Sequence, residues 1–213
     1  MITICHIESG KQLIRTKRDS LANLSLDGKE LKFADFSGQD LSGAKLISCN
    51  FSGSSFANVN FKNARIRNCI FRKCNFNESL LGSVDVADSV FDNSDFKQAK
   101  LERAVMIRVK MRDCNFRDAY CMSVDFSFSE LSKSNFRFSN LTSVNFCDAN
   151  LSECNFTEAD LRCAKMSHAE IAKANFSQAK MQGCLGVDGR PWGFASRGST
   201  SSKKKTGWFW RKK

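Results

Sequence analysis

Between Asn145 and His168 the chain reads NFCDANLSECNFTEADLRCAKMSH, a stretch with three cysteines, four acidic residues and one of the protein's two histidines. Thiolate, imidazole and carboxylate are the groups that bind zinc, and a thiol beside an imidazole is the pairing that activates a reactive cysteine. A zinc centre requires four ligands converging as a tetrahedron, most often supplied by short-spaced pairs such as C-x2-C. Cys147, Cys154 and Cys163 supply neither the pairing nor the spacing. The expectation is therefore packed and surface thiols with a solvated His168, and neither a metal nor another cofactor. Catalysis is not expected from the rest of the chain. G-x-S-x-G, a P-loop, H-E-x-x-H and a dinucleotide fingerprint are all missing, and no motif positions a nucleophile beside a base.

Which way these side chains point depends on the elements that carry them. The chain has 213 residues, enough for one domain with tails. Its formal net charge is +11, unevenly spread: residues 1–20 carry +2, residues 21–185 carry +2 and residues 186–213 carry +7. The body is nearly neutral, and the excess that suggests an anionic partner sits in a tail. No run approaches the roughly 18 apolar residues of a membrane-spanning helix. The opening MITICHIESGKQLIRTKR lacks the apolar core of a cleaved secretory signal. Ten cysteines at irregular spacings point to a reducing cytosol rather than to a disulfide framework.

The dominant pattern is a period of five. From Leu26, through Leu31, Phe36, Leu41 and Leu46, to Met181, all 32 positions in this step are apolar. Two residues before them, from Ala34 to Ala179, runs a column of Ala, Ser, Cys and Val interrupted only by Gln39. Neither a helix nor a strand has this period. A chain that turns a corner every five residues does, and four such sides close a square coil of 20 residues. Each side sends one large and one small side chain into a narrow bore. At a strand-like spacing of about 4.8 Å, residues 26–185 make about eight coils in a rod roughly 38 Å long. A solenoid needs capped ends. The alternation of Ile2, Ile4 and His6, then Ser9-Gly10 and QLIRT, reads as a hairpin. Residues 1–25 are accordingly expected to be an N-terminal cap, with a targeting segment as the alternative.

The A-(D/N)-L-x-x pattern, as in ANLSE, CNFTE and ADLRC, resembles the pentapeptide-repeat family. That resemblance implies an all-β fold, a right-handed quadrilateral β-helix over residues 26–185. It also implies a bacterial source and an interaction role with no cofactor, but fold alone does not define function. One class in the family mimics DNA and protects gyrase or topoisomerase, using acidic dimeric rods joined end to end through a C-terminal helix. The neutral body and basic Gly-rich end here depart from that class. A second class is secreted into host cells, where it contacts membranes or proteins.

The five-residue register assigns the cysteines. Cys49, Cys69, Cys74, Cys114 and Cys154 fall in the small inward column, Cys184 extends it, and Cys121 takes a large inward position. Buried free cysteine behaves as a small apolar filler. Cys147 and Cys163 point outward. Asp35, Asp40, Asp85, Asp95 and Asp125 stand where the repeat takes Asp or Asn, and their short side chains are expected to satisfy corner amides. Residues 20 apart share a side, so Lys97, Arg117 and Arg137 form a basic ladder with Asp95 and Asp118 close by. Asp148, Glu153, Glu158 and Asp160 form an acidic belt. Ile70, Leu80, Val90, Val105, Tyr120, Met122, Phe128 and Phe138 are apolar at outward positions. The candidate partner surface is Lys97, Arg117 and Arg137 with Phe128, Phe138 and Tyr120.

After Met181 the frame breaks, and Gly, Ser and the one proline make residues 186–202 a linker. The tail 203–213 then reads KKKTGWFWRKK. Lys203, Lys204, Lys205, Arg211, Lys212 and Lys213 flank Trp208, Phe209 and Trp210, a composition suited to an anionic membrane surface. It suits nucleic acid through base stacking as well, the less favoured partner. The reading is a non-enzymatic, rigid interaction scaffold for a macromolecular, chiefly protein, partner, and either a homodimer or a monomer fits it. The location is the cytoplasm, or a host cell reached without a cleaved signal peptide. The gyrase-protecting DNA mimic is the alternative.

Overall fold

The computed structural model describes residues 1–193, and every element among them is β. Strands β1 (Ile2–Cys5) and β2 (Gln12–Thr16) form an antiparallel hairpin. Strands β3 (Ser25–Asp27), β4 (Lys45–Ile47), β5 (Arg65–Arg67), β6 (Asp85–Ala87) and β7 (Val105–Ile107) lie parallel in chain order. Their register steps by twenty, from Ser25 to Lys45, Arg65, Asp85 and Val105. These strands mark about four turns, fewer than the eight coils read from the sequence. Beyond β7 the side narrows to one bridged residue per coil, because Ser127 and Phe128 fall in a turn where Ala87 was still extended. The twenty-residue register itself continues through Asp125, Asn145 and Lys165 to Leu185.

The corner is the repeated local element. Every fifth residue from Asn23 to Gly183 has a positive φ, for example Asn58 at 56°, Arg108 at 55° and Gly183 at 71°. Most corners close on themselves, as where the Ala44 amide donates to the Leu41 carbonyl at 3.0 Å. Between corners, amides and carbonyls bond to the coils above and below: Asn50 N–H donates to Lys29 O at 2.9 Å, and Leu31 N–H to Asn50 O at 2.7 Å. The backbone is thereby satisfied without helices or long strands.

The large inward residues build the core. Phe36, Phe56, Phe76, Phe96, Phe116, Phe136, Phe156 and Phe176 form one stack, with neighbouring ring centroids 4.7–5.1 Å apart and nearly parallel planes. Such stacking adds roughly 0.5–1.5 kcal/mol per pair beyond the burial of area. The small column does more than leave room. At the corners 31–34, 71–74, 106–109 and 111–114 a serine hydroxyl of the next coil inserts. Ser134 Oγ accepts from Cys114 N–H at 3.0 Å and donates to Met111 O at 2.7 Å. Ser54, Ser94 and Ser129 do the same one coil after Ala34, Cys74 and Val109. The inward cysteines, expected as apolar filler, are donors too: Cys74, Cys114 and Cys154 Sγ reach carbonyls 23 residues back at 3.0–3.1 Å.

At the start of the rod the hairpin pairs with the first coil. Ile7 N–H donates to Phe33 O at 2.7 Å, Asp35 N–H to Cys5 O at 2.9 Å, and Ile4 is buried. His6 Nδ1 accepts from the amides of Glu8 and Ser9, which makes it a turn-forming residue. At the other end, residues 186–193 fold back instead of leaving as a linker. Leu185 bridges Pro191, and Trp192 N–H donates to Cys184 O at 2.8 Å. The Trp192 ring lies 5.1 Å from Phe176, at the last coil.

Ser134→Ala removes both bonds of one inserted hydroxyl and should lower unfolding free energy by about 1–2 kcal/mol. Urea denaturation reads this directly. An unchanged midpoint would mean that the 111–114 corner closes on itself, as the 116–119 corner does.

Candidate interaction surface

The fold takes apart the cysteine-rich stretch from Asn145 to His168. Cys154 is buried, its Sγ donates to Leu131 O, and burial pushes the thiol up to about 12, so it is no nucleophile at neutral pH. Cys163 and His168 occupy successive corners, at φ 58° and 60°, and Cys147 is half-buried on the side between them. His168 Nδ1 faces Asp148 Oδ1 at 3.6 Å, both exposed. Among the described residues no cluster of His, Cys, Asp and Glu has the makings of a metal site. The acidic belt is partly consumed internally, since Asp160 takes the Arg162 guanidinium at 2.6 Å.

The structure supports the structural role given to the repeat aspartates, with one correction. Asp35, Asp40, Asp95 and Asp125 each accept from the amide two residues on, at 2.9–3.1 Å. Asp85 instead pairs with Arg67 and Arg65 of the coil below. Two further ion pairs across coils are built the same way. Asp88 takes Arg108 through both oxygens at 2.8 and 2.9 Å. Asp92, with 6% of its side chain exposed, takes Arg112 Nη2 at 2.7 Å and lies 3.9 Å from Arg72 Nε. This rung flanks the adjoining Ile70 and Val90, which are bridged to each other. The spacing of twenty between Asp92 and Arg112 was the available signal for these pairs.

The basic ladder is real and has a local cause. It sits in three successive segments, Asp95-Phe96-Lys97, Asn115-Phe116-Arg117 and Asn135-Phe136-Arg137. In each, the first side chain accepts from the backbone amide of the cation, at 3.1, 3.2 and 3.2 Å, and the phenylalanine enters the central stack. The first side chains also bond to one another: Asn115 Nδ2 donates to Asp95 Oδ1 at 2.9 Å, and Asn135 Nδ2 to Asn115 Oδ1 at 3.2 Å. Asp95 is engaged in the Asx ladder, and Lys97 enters no ion pair among the described residues. Arg117 Nε reaches Asp118 at 3.2 Å.

Phe138 occupies the corner next to Arg137, at φ 60°. Both Arg117 and Arg137 lie over its ring, 4.9 and 5.1 Å from the centroid. Arg137 Nε is buried without a hydrogen-bond partner, and Arg137 enters no ion pair among the described residues. Around the same corner Tyr120 is exposed and bridged to Lys100, which is bridged to Leu80. A shallow groove lined by Asn58, Glu78, Leu80, Gln98, Lys100 and Tyr120 runs beside it. Lys97, Arg117, Arg137, Phe138 and Tyr120 thus share one corner region. Phe128 does not belong to it. It stands ten residues from Phe138, half a coil away, on the corner column between Arg108 and Asp148. Phe138 as a shared platform for two guanidinium groups was not read from the sequence. The diagonal spacing of 21 from Arg117 to Phe138 carries that contact. Lys203, Lys204, Lys205, Trp208, Phe209, Trp210, Arg211, Lys212 and Lys213 lie outside the described residues.

A filled bore, repeating corners and surface columns define a solenoid whose charged side chains face outward. A model of pentapeptide repeats, eight copies long, matches residues 20–53, 40–78, 79–118, 119–146 and 149–185. The chain belongs to the pentapeptide-repeat family. No curated protein matches it. Among solved structures, full-length QnrB1, a plasmid-mediated fluoroquinolone resistance protein, is similar at 16% identity and a TM-score of 0.46, over 75% of this chain and 92% of that one. HetL, a protein of heterocyst differentiation regulation from the cyanobacterium Nostoc sp. strain PCC 7120, is similar at 20% identity and a TM-score of 0.30, over 78% and 89%.

Asp92, beside the Asn93 corner and away from Phe138, gives the rod a pH signature. Burial raises its pKa, but the Arg112 hydrogen bonds and the charges of Arg112 and Arg72 outweigh that and hold it below 3.8. A depressed carboxylate stabilises the fold above its unfolded pKa, and that contribution is lost as pH falls through the folded value. Asp92→Asn should therefore cost about 2 kcal/mol at neutral pH, and the variant should lose less stability on acidification below pH ~4. Thermal melts of both proteins across that range check it.

Proposed function

We propose that the protein is a non-enzymatic, rigid scaffold that binds a protein partner through the corner bearing Lys97, Arg117, Arg137, Phe138 and Tyr120. The observation that carries this reading is the arginine pair gathered on one aromatic ring without full neutralisation by the fold. Arginine and large aromatic residues are the side chains that dominate binding energy at protein interfaces. A surface on a stacked solenoid is also held in place before binding, which lowers the entropic cost of association. A gyrase-protecting DNA mimic would present phosphate-like negative charge here, whereas this corner presents cations.

In the fuller form of this reading the chain is a bacterial effector that acts on host protein or membrane, or a cytoplasmic scaffold of the same build. The composition of residues 203–213 supports an attachment to anionic lipid, with clustered cations around two tryptophans and a phenylalanine.

Amine-reactive cross-linking to co-purifying proteins, followed by mass spectrometry, tests the surface. Cross-links are expected to concentrate at Lys97 and Lys100, and the triple variant Lys97→Glu/Arg117→Glu/Arg137→Glu should lose them with an unchanged thermal midpoint. Cross-links concentrated at Lys29 and Lys32 would move the interface to another side. Co-sedimentation with anionic vesicles should be salt-sensitive for the whole chain and absent for a truncation ending at Ser202. Equal sedimentation of the two would remove the membrane role of the tail.

A further inference from the structure

We infer that the corner holds an acidic segment of its partner, with side-chain carboxylates seated on the Arg117 and Arg137 guanidinium edges above Phe138. This deepens the scaffold reading and rests on it. Elsewhere along the rod four arginines pair with an aspartate, Arg67 with Asp85, Arg108 with Asp88, Arg112 with Asp92 and Arg162 with Asp160, while Arg103 stands exposed at its corner in no ion pair among the described residues. Arg137 is different. Its Nε is buried with no acceptor, and its charge meets the Phe138 ring, not a carboxylate. A buried donor left unsatisfied is destabilising, more so when it carries charge. Arg117, the other cation over the ring, has only the half-buried Asp118, so two like charges converge on one aromatic group.

That arrangement leaves a specific vacancy in chemistry. A guanidinium stacked on a ring keeps its planar N–H edge for a ligand, and that edge fits a carboxylate bidentately. Stacking on Phe138 restrains both forks before anything binds. Lys97, one rung below Arg117, extends the positive column along the rod and suits a run of acidic side chains better than a single ion. The corner also carries a backbone cost. Phe138 sits in the left-handed region, which disfavours a non-glycine residue. Asn, Asp, Ser or Gly fill many of the equivalent corners, so packing inside the rod does not call for phenylalanine there.

The test uses the full chain and a fluorescein-labelled glutamate-rich peptide, with a glutamine-rich peptide of equal length as control, at physiological ionic strength. Fluorescence anisotropy should show binding of the first peptide only. Arg117→Gln/Arg137→Gln should weaken it about tenfold or more. Lys45→Gln/Lys165→Gln removes the same charge from the side of β3–β7 and should leave it unchanged. The side-chain Nε–H resonance of Arg137 should shift on titration, and Phe138→Leu should weaken binding while the melting midpoint holds. Equal weakening by both double variants would show attraction to net charge and overturn the corner site. Failure of the wild-type chain to bind the acidic peptide would overturn the ligand class. In both cases the cross-linking map decides the scaffold reading independently.

Discussion

Everything outward in this protein follows from backbone pairing between coils at a fixed offset of twenty residues. Each coil can bond the next only if it closes in the same length, and it closes in that length only if every fifth residue turns a corner. The corner in turn narrows the bore until one large and one small side chain per side fill it. Phenylalanine on the large positions then stacks at 4.7–5.1 Å in the longest column, close to the spacing that the backbone bonds impose. Ring stacking and backbone pairing therefore ask for the same rise per coil, and neither strains the other.

A bore filled in this way has no room for a substrate, so function is confined to the faces and ends. There the offset of twenty acts as a ruler. Residues that are remote in sequence become neighbours, and their chemistry depends on what stands one coil away. An aspartate twenty residues before an arginine gives an internal tie, as at Asp88–Arg108 and Asp92–Arg112. A cation in the same relation gives a ladder, as at Lys97, Arg117 and Arg137. The Asx side chains of residues 95, 115 and 135 hold these cations at regular height through their backbone amides. Regularity of the rod thus becomes regularity of charge on its surface.

The fold was legible because a period of five admits few physical solutions, and all the phenylalanines of the central stack lie in that period. The hairpin of residues 1–16 was legible from the alternation of Ile2, Ile4 and His6. Other features were not, for stated reasons. Serine looks like a mere small residue in the inward column, and only geometry shows that Ser134 enters the open corner of the coil before it. The fold-back at 186–193 was hidden by its glycines, whose turn-forming role dominates the reading while Trp192 supplies the contact with Phe176. At the candidate surface the ladder was read correctly from residues twenty apart. Phe128 was wrongly grouped with Phe138, because exposure and residue type say nothing about which of four corners a side chain occupies.

The separation of those two phenylalanines bears on how the surface works. Phe128 stands exposed between Arg108, which is committed to Asp88, and Asp148, which faces His168. Arg108 is already tied to a carboxylate, Asp148 adds no cation, and the ring is a lone apolar group of a kind common on protein surfaces. Phe138 has the same backbone conformation and the same repeat position, yet it draws two guanidinium groups and has no carboxylate committed to the second. Identical corners therefore acquire different capacities solely from the residues one coil away. A repeat fold can in this way vary its recognition surface by single outward substitutions, while the inward columns and the corner geometry stay as they are.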